Sequence, residues 1–157
     1  FASRPSGQLL FQLNSDGLFI INGGNIKMYF KNKKHADRFY KAISEGCIST
    51  DNKEVMAAVY LLTVKKKVWE HFAGHVDDED GISGSLFENL DVRNETEEAL
   101  VSAAYDLLFC MDCINLTDLT EKETIPDEAF MAIWYAVTYV RFGFDDGTHE
   151  AHIVEYV

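Results

Sequence analysis

The chain has 157 residues, 47% of them hydrophobic, with 14 Lys and Arg against 26 Asp and Glu. That length suits one globular domain, and the apolar content supports a buried core and excludes wholesale disorder. No apolar run approaches the roughly 20 residues of a membrane span, three cysteines are too few for a disulfide scaffold, and a formal net charge of −12 disfavours direct nucleic-acid binding, which needs clustered Lys and Arg.

Residues 1–27 read as a β-hairpin. Gln8–Leu13 alternates, with Leu9, Phe11 and Leu13 on one face, and Asn14-Ser-Asp-Gly17 supplies a turn before Leu18–Ile21. Residues 28–143 carry helical patterns. A first helix is predicted over 33–45, between a cap at Asn32 and a stop at Gly46, with Ala36, Phe39, Tyr40 and Ile43 as its apolar stripe. A second is predicted over 51–63, with Val55, Val59 and Leu62 on one side, and a short third over 65–73, before Gly74. An acidic, glycine-containing loop, Asp77–Gly84, and a helical turn at Ser85–Asn89 follow.

The fourth helix is predicted over 95–111. Asn94 and Glu97 make a capping-box-like start, and Glu95, Glu97 and Glu98 sit in the first turn, where the helix dipole favours acids. The last helix, 126–142, begins at Pro126 and is apolar on two sides, which suggests a central place in the core. His152–Val157 reads as a strand that joins the N-terminal hairpin. The expected fold is therefore α+β in one domain: a helical body of about five helices, with a small antiparallel sheet from the hairpin (1–27) and the C-terminal strand (144–157). The edge of that sheet offers a homodimer contact.

Charge is divided unevenly. Residues 1–71 carry a net +5 and residues 72–157 a net −17. The densest acidic stretch holds Asp77, Asp78, Glu79, Asp80, Glu88, Asp91, Glu95, Glu97 and Glu98 against Arg93 alone. Such a separation steers a partner of opposite sign. These nine residues are the candidate partner-binding set, and a basic protein surface is the partner they fit.

The remaining motifs carry less. Cys110-x-x-Cys113 with His149-x-x-His152 has the right ligand types for zinc, but a whole predicted helix separates the pairs, and Cys110 falls at an apolar position that suits a core cysteine. His71 and His75 are spaced i, i+4, but Gly74 intervenes. Aligning Gly81 with position 6 of a calcium loop places Val76 and Phe87 at the ligand positions 1 and 12. No phosphate loop or nucleophile elbow is present. The reading is thus of no cofactor, no metal and no catalytic residue. Its rivals are a small-molecule binder with an aromatic cleft near Trp69, Trp134 and Tyr135, and a metal-dependent enzyme using the His or Cys/His sets.

The stretch Met28-Tyr-Phe-Lys-Asn-Lys-Lys-His-Ala-Asp-Arg-Phe-Tyr-Lys-Ala-Ile43 resembles the opening of an uncharacterised family of small helical proteins from Firmicutes, their phages and other mobile elements. Ala58–Leu62, Leu100–Leu108 and Val140–Gly143 extend the resemblance over residues 28–143. The family brings no activity and no catalytic residues. It implies a mobile-element setting, in which small acidic proteins without catalytic motifs are often inhibitors of host defence, including anti-CRISPR proteins and nucleic-acid mimics. The early segments lack the pattern of a cleavable leader, so a cytoplasmic setting is expected.

Overall fold

A computed structural model describes residues 28–143 throughout. Outside that range it describes only the backbone of short strands at Gln12–Leu13, Phe19–Asn22, Asn25–Ile26 and His152–Ile153. The chain order is β1 (Gln12–Leu13), β2 (Phe19–Asn22), β3 (Asn25–Ile26), β4 (Tyr29–Phe30), α1 (Lys33–Glu45), α2 (Lys53–Leu62), α3 (Lys66–Phe72), β5 (Val76–Asp77), β6 (Gly81–Ile82), α4 (Gly84–Glu88), α5 (Glu95–Phe109), a 3₁₀ turn (Asp118–Thr120), α6 (Asp127–Phe142) and β7 (His152–Ile153). The fold is mainly helical α+β.

α2 is the hub. Every residue from Val55 to Leu62 is buried, and α1, α3, α5 and α6 all pack on it. The sequence places no charge in that run, so no face can turn to water. α6, which its two apolar sides had suggested as the central helix, is instead peripheral: Ala129, Ala132, Ile133, Tyr135, Ala136 and Tyr139 face inward, while Trp134 and Val137 are about half exposed. Small residues mark the helix contacts, with Ala57 and Ala58 on α2 and Ala99, Ala103 and Ala104 on α5, which lets helix axes approach closely.

A polar, aromatic seam ties β4 to the helices. The Tyr60 hydroxyl donates to the Tyr29 carbonyl at 2.6 Å, and the Tyr29 N–H donates to the Tyr139 hydroxyl at 2.5 Å. Phe30, fully buried, meets Phe39, Tyr40, Tyr60 and the His35 ring. His35 is itself fully buried. Its Nε2 lies 2.8 Å from the Tyr60 carbonyl and its Nδ1 accepts from the Lys31 N–H at 3.2 Å, so both ring nitrogens are matched in the neutral form.

The hairpin is present as β1 and β2, antiparallel with Gln12 opposite Ile20, and β3 adds a third antiparallel strand. The C-terminal strand does not join it. β7 pairs with β4 in parallel, Tyr29 opposite His152 and Phe30 opposite Ile153. A parallel pair needs a long crossover, and the whole helical body supplies one.

The start of α5 follows the predicted cap. The Asn94 side chain accepts from the Glu97 N–H at 2.9 Å, and the Glu97 carboxylate turns back to accept from the Arg93 N–H at 2.9 Å. Asn94→Ala is expected to lower the unfolding free energy by about 1 kcal/mol, read from the urea midpoint. An unchanged midpoint would show that water replaces the cap without loss.

Candidate functional site

The acidic stretch begins on a tight hairpin. Asp77 pairs with Gly81 across a three-residue loop, the Asp80 N–H donates to the Asp77 carboxylate at 2.6 Å, and Gly81 takes φ +65°. A left-handed glycine closing such a loop is the usual solution for a hairpin of this length. The hairpin is bolted to the α1–α2 turn. The Asp78 N–H donates to the Gly46 carbonyl at 3.2 Å, and the Asp78 carboxylate accepts from the Ser49 N–H at 2.9 Å and from the Asn52 side chain at 3.2 Å. Gly46 permits this approach: a Cβ there would lie 2.7 Å from the Val76 carbonyl oxygen. The region expected to be a loop is thus a fixed platform.

The nine candidate carboxylates divide by role. Asp77, Asp78, Glu79, Asp80, Glu88, Asp91, Glu95 and Glu98 are exposed. Asp77 and Asp78 spend their carboxylates on the hairpin and the α1–α2 turn. Glu79, Asp80, Glu88, Asp91, Glu95 and Glu98 have no side-chain partner among the described residues. Glu97 is withdrawn from the surface, only 7% exposed, because its carboxylate serves the helix start. Asp77 and Asp80 line a cleft of about 420 Å³ with His75, Ser83 and Ser85. Glu95 and Glu98 line a separate cleft of about 290 Å³ with Asp118 and Cys113. The set therefore borders two separate clefts, and Glu79, Glu88 and Asp91 line neither of them.

Counter-ions are distributed unequally. All seven ion pairs among the described residues lie outside 77–98. Lys33 pairs with Asp37, Lys41 with Glu45, and Lys66 and Lys67 with Glu70. Lys31 and Lys65 both hold Glu128, at 2.5 and 2.9 Å. Burial alone would raise the Glu128 pKa, but the two lysines outweigh it and leave the carboxyl below its usual range. Arg38 donates to the Thr63 and Val64 carbonyls at 2.8 and 3.0 Å, closing the end of α2. Among the described residues most lysines of the basic half have an acidic partner, and the carboxylates of 77–98 have no basic one.

The metal candidates that lie among the described residues do not come together. Among the described residues no group of three or more His, Cys, Asp or Glu is placed to hold an ion. His71 is half-buried, with Nε2 2.7 Å from the Leu86 carbonyl, and His75 is exposed beyond the end of α3. His149 lies outside the described residues, as does the side chain of His152, whose backbone belongs to β7. Cys110 and Cys113 are both exposed, contrary to the expected core placement. The reason is local: α5 ends at Phe109, and Cys110 takes the left-handed cap conformation at φ +54°. Desolvation, then the carboxylates of Asp106 and Asp112, raise the Cys113 pKa, which keeps the thiol protonated and a poor nucleophile.

Of the residues expected to form an aromatic cleft, Trp69 is half-buried against the core. Tyr135 is buried and stacks on Tyr29 at 5.5 Å, whereas Trp134, its neighbour on α6, is 51% exposed. Adjacent helical residues point about 100° apart, so Tyr135 turns into the core while Trp134 faces outward. No described helix is long and apolar enough to cross a membrane. Compared with protein families, curated proteins and solved structures, the chain matches none.

Proposed function

We propose that the chain is a non-enzymatic acidic interaction protein of phage or mobile-element origin, which inhibits a host nucleic-acid-handling defence protein by occluding its basic groove, in the manner of an anti-CRISPR protein. The observation that carries this reading is the counter-ion asymmetry. Among the described residues, six exposed carboxylates, Glu79, Asp80, Glu88, Asp91, Glu95 and Glu98, stand without Lys or Arg, while six of the seven ion pairs use Lys31, Lys33, Lys41, Lys65, Lys66 or Lys67. The braced hairpin and the capped helix need little main-chain ordering on docking, and the unpaired carboxylates they carry stand where phosphates otherwise would. The mobile-element origin rests on the resemblance over residues 28–143, and the inhibitory role on what that setting implies.

Displacement tests the reading. Host proteins captured on the immobilised chain are expected to be released by excess nucleic acid, and also by about 1 M salt, where the screening length falls to roughly 3 Å. Retention through both washes, or capture of nothing, would contradict it.

A further inference from the structure

A groove of about 210 Å³ lies between α5, α6 and the loop that joins them. Leu107, Ile114, Leu119, Ile133 and Val137 line it, and Asp106 is its one charged lining residue. Further apolar residues are exposed on the same elements. Val137 is 48% exposed, and Trp134, on the same stripe of α6, is 51% exposed. Met111 and Leu116, on the joining loop, are 50% and 83% exposed. Single exposed apolar residues are ordinary; an open apolar groove flanked by several more marks a binding surface.

Charge selects the occupant. The joining loop carries Asp112, Asp118, Glu121 and Glu123 against Lys122, whose ammonium already lies 3.8 Å from Asp127. Two of the nearby carboxylates are held in place: Asp106 accepts from the Cys113 and Ile114 N–H groups at 2.7 and 2.8 Å, and Asp118 accepts from the Asn115 N–H at 2.9 Å. The surroundings are therefore negative and partly rigid. Nucleic acid is repelled, and a second copy of this chain docked with two-fold symmetry brings the same negative loop to the contact. The walls are helices and a loop, with no strand edge for an extended peptide to extend.

We infer that this groove binds an amphipathic basic helix of a protein partner. Apolar side chains of that helix at i, i+3 or i+4, and i+7 enter between Leu107 and Val137, and its Lys and Arg face Asp112, Asp118 and Glu121. The inference rests on the proposed basic partner and specifies the form in which that partner is gripped: the acidic surface speeds encounter, and the groove holds.

A synthetic Leu/Lys peptide of about 18 residues with a helical apolar stripe, five turns of helix, is the probe. Its controls are a scrambled peptide of the same composition and polylysine of the same length. By fluorescence anisotropy, the striped peptide is expected to bind one-to-one and at least about tenfold more tightly than either control. Val137→Asp is expected to weaken it about tenfold or more, although the change adds negative charge; a purely electrostatic contact would strengthen. Trp134→Ser, also at a half-exposed site, provides a second variant, and circular dichroism verifies both folds. Equal binding of all three peptides, undisturbed by Val137→Asp, overturns the groove while the acidic-surface reading stands. Failure of every basic peptide to bind overturns both. A dimer in sedimentation that Val137→Asp dissociates assigns the groove to a second copy and overturns the inference.

Discussion

Lowering the pH from 7 to 4 is expected to cost the fold about 3 kcal/mol through one side chain, His35. Burial is the main cause: it drives the ring pKa from 6.5 to about 3, against a smaller opposing effect from the hydrogen bond to the Tyr60 carbonyl, with Arg38 and Lys31 pushing it further down and Glu128 pushing it up. The unfolded chain therefore takes up this proton well before the folded one. The stabilising effect of the neutral ring is complete above about pH 6.5 and is lost as pH falls toward 3, at about 1.4 kcal/mol per unit. Against a typical total of about 5–15 kcal/mol, that is a large share. Glu128 acts in a lower window. Its folded pKa lies below the usual carboxylate range, so its contribution holds above the unfolded value and is lost only as pH falls through the folded one.

Urea midpoints between pH 4 and 7, for wild type and His35→Gln, separate the two. Glutamine retains a donor and an acceptor but cannot ionise, so the variant is expected to be less stable at pH 7 by about 1–3 kcal/mol and to show a shallower pH slope. Parallel slopes for the two proteins would mean that His35 does not stay neutral in the fold.

The sequence was most legible where the signals are local. α1 lies between its predicted limits because Asn32 caps it, accepting from the His35 N–H at 2.9 Å, and because its apolar stripe meets the core. Asn94 and Glu97 marked the start of α5 equally well. The same pair shows why the acidic set was read too broadly: Glu97 was counted as surface charge, although its position three residues after the cap was the signal for an inward role. The β5–β6 hairpin has a local signal as well, Gly81 at the end of a three-residue turn, set within a stretch whose acidic composition reads as loop. For α2 periodicity shows only one side, Val55, Val59 and Leu62, whereas the absence of charge from Val55 to Leu62 matches its burial all round.

Long-range choices left no such trace. Nothing local tells β7 to pair with Tyr29–Phe30 rather than with the hairpin. The i, i+4 pairs of Lys33 with Asp37 and Lys41 with Glu45 follow from helical spacing, but the grip of Lys31 and Lys65 on Glu128 spans the fold. Helical spacing puts Val137 on the same side as Ile133 and Trp134; only packing shows that it borders an open groove.

Reversing Glu79, Asp80, Glu88 and Asp91 to lysine is expected to slow association with a basic partner by roughly 10- to 100-fold at low salt. These four are chosen because none holds the hairpin or caps a helix with its side chain, unlike Asp77, Asp78 and Glu97. The fold should survive with little change in its urea midpoint, since exposed charges remote from partners contribute within about 0.5 kcal/mol. Dissociation should change much less than association, because charges at the rim govern encounter more than residence.

Stopped-flow association of wild type and this fourfold variant with the captured partner, from about 20 to 500 mM salt, tests the role of the acidic stretch most directly. Wild type is expected to start fast and to slow by at least about tenfold as salt rises, with the variant slow throughout and the two converging at high salt. Equal rates for both proteins at every salt concentration would show that the carboxylates of 77–98 do not guide binding.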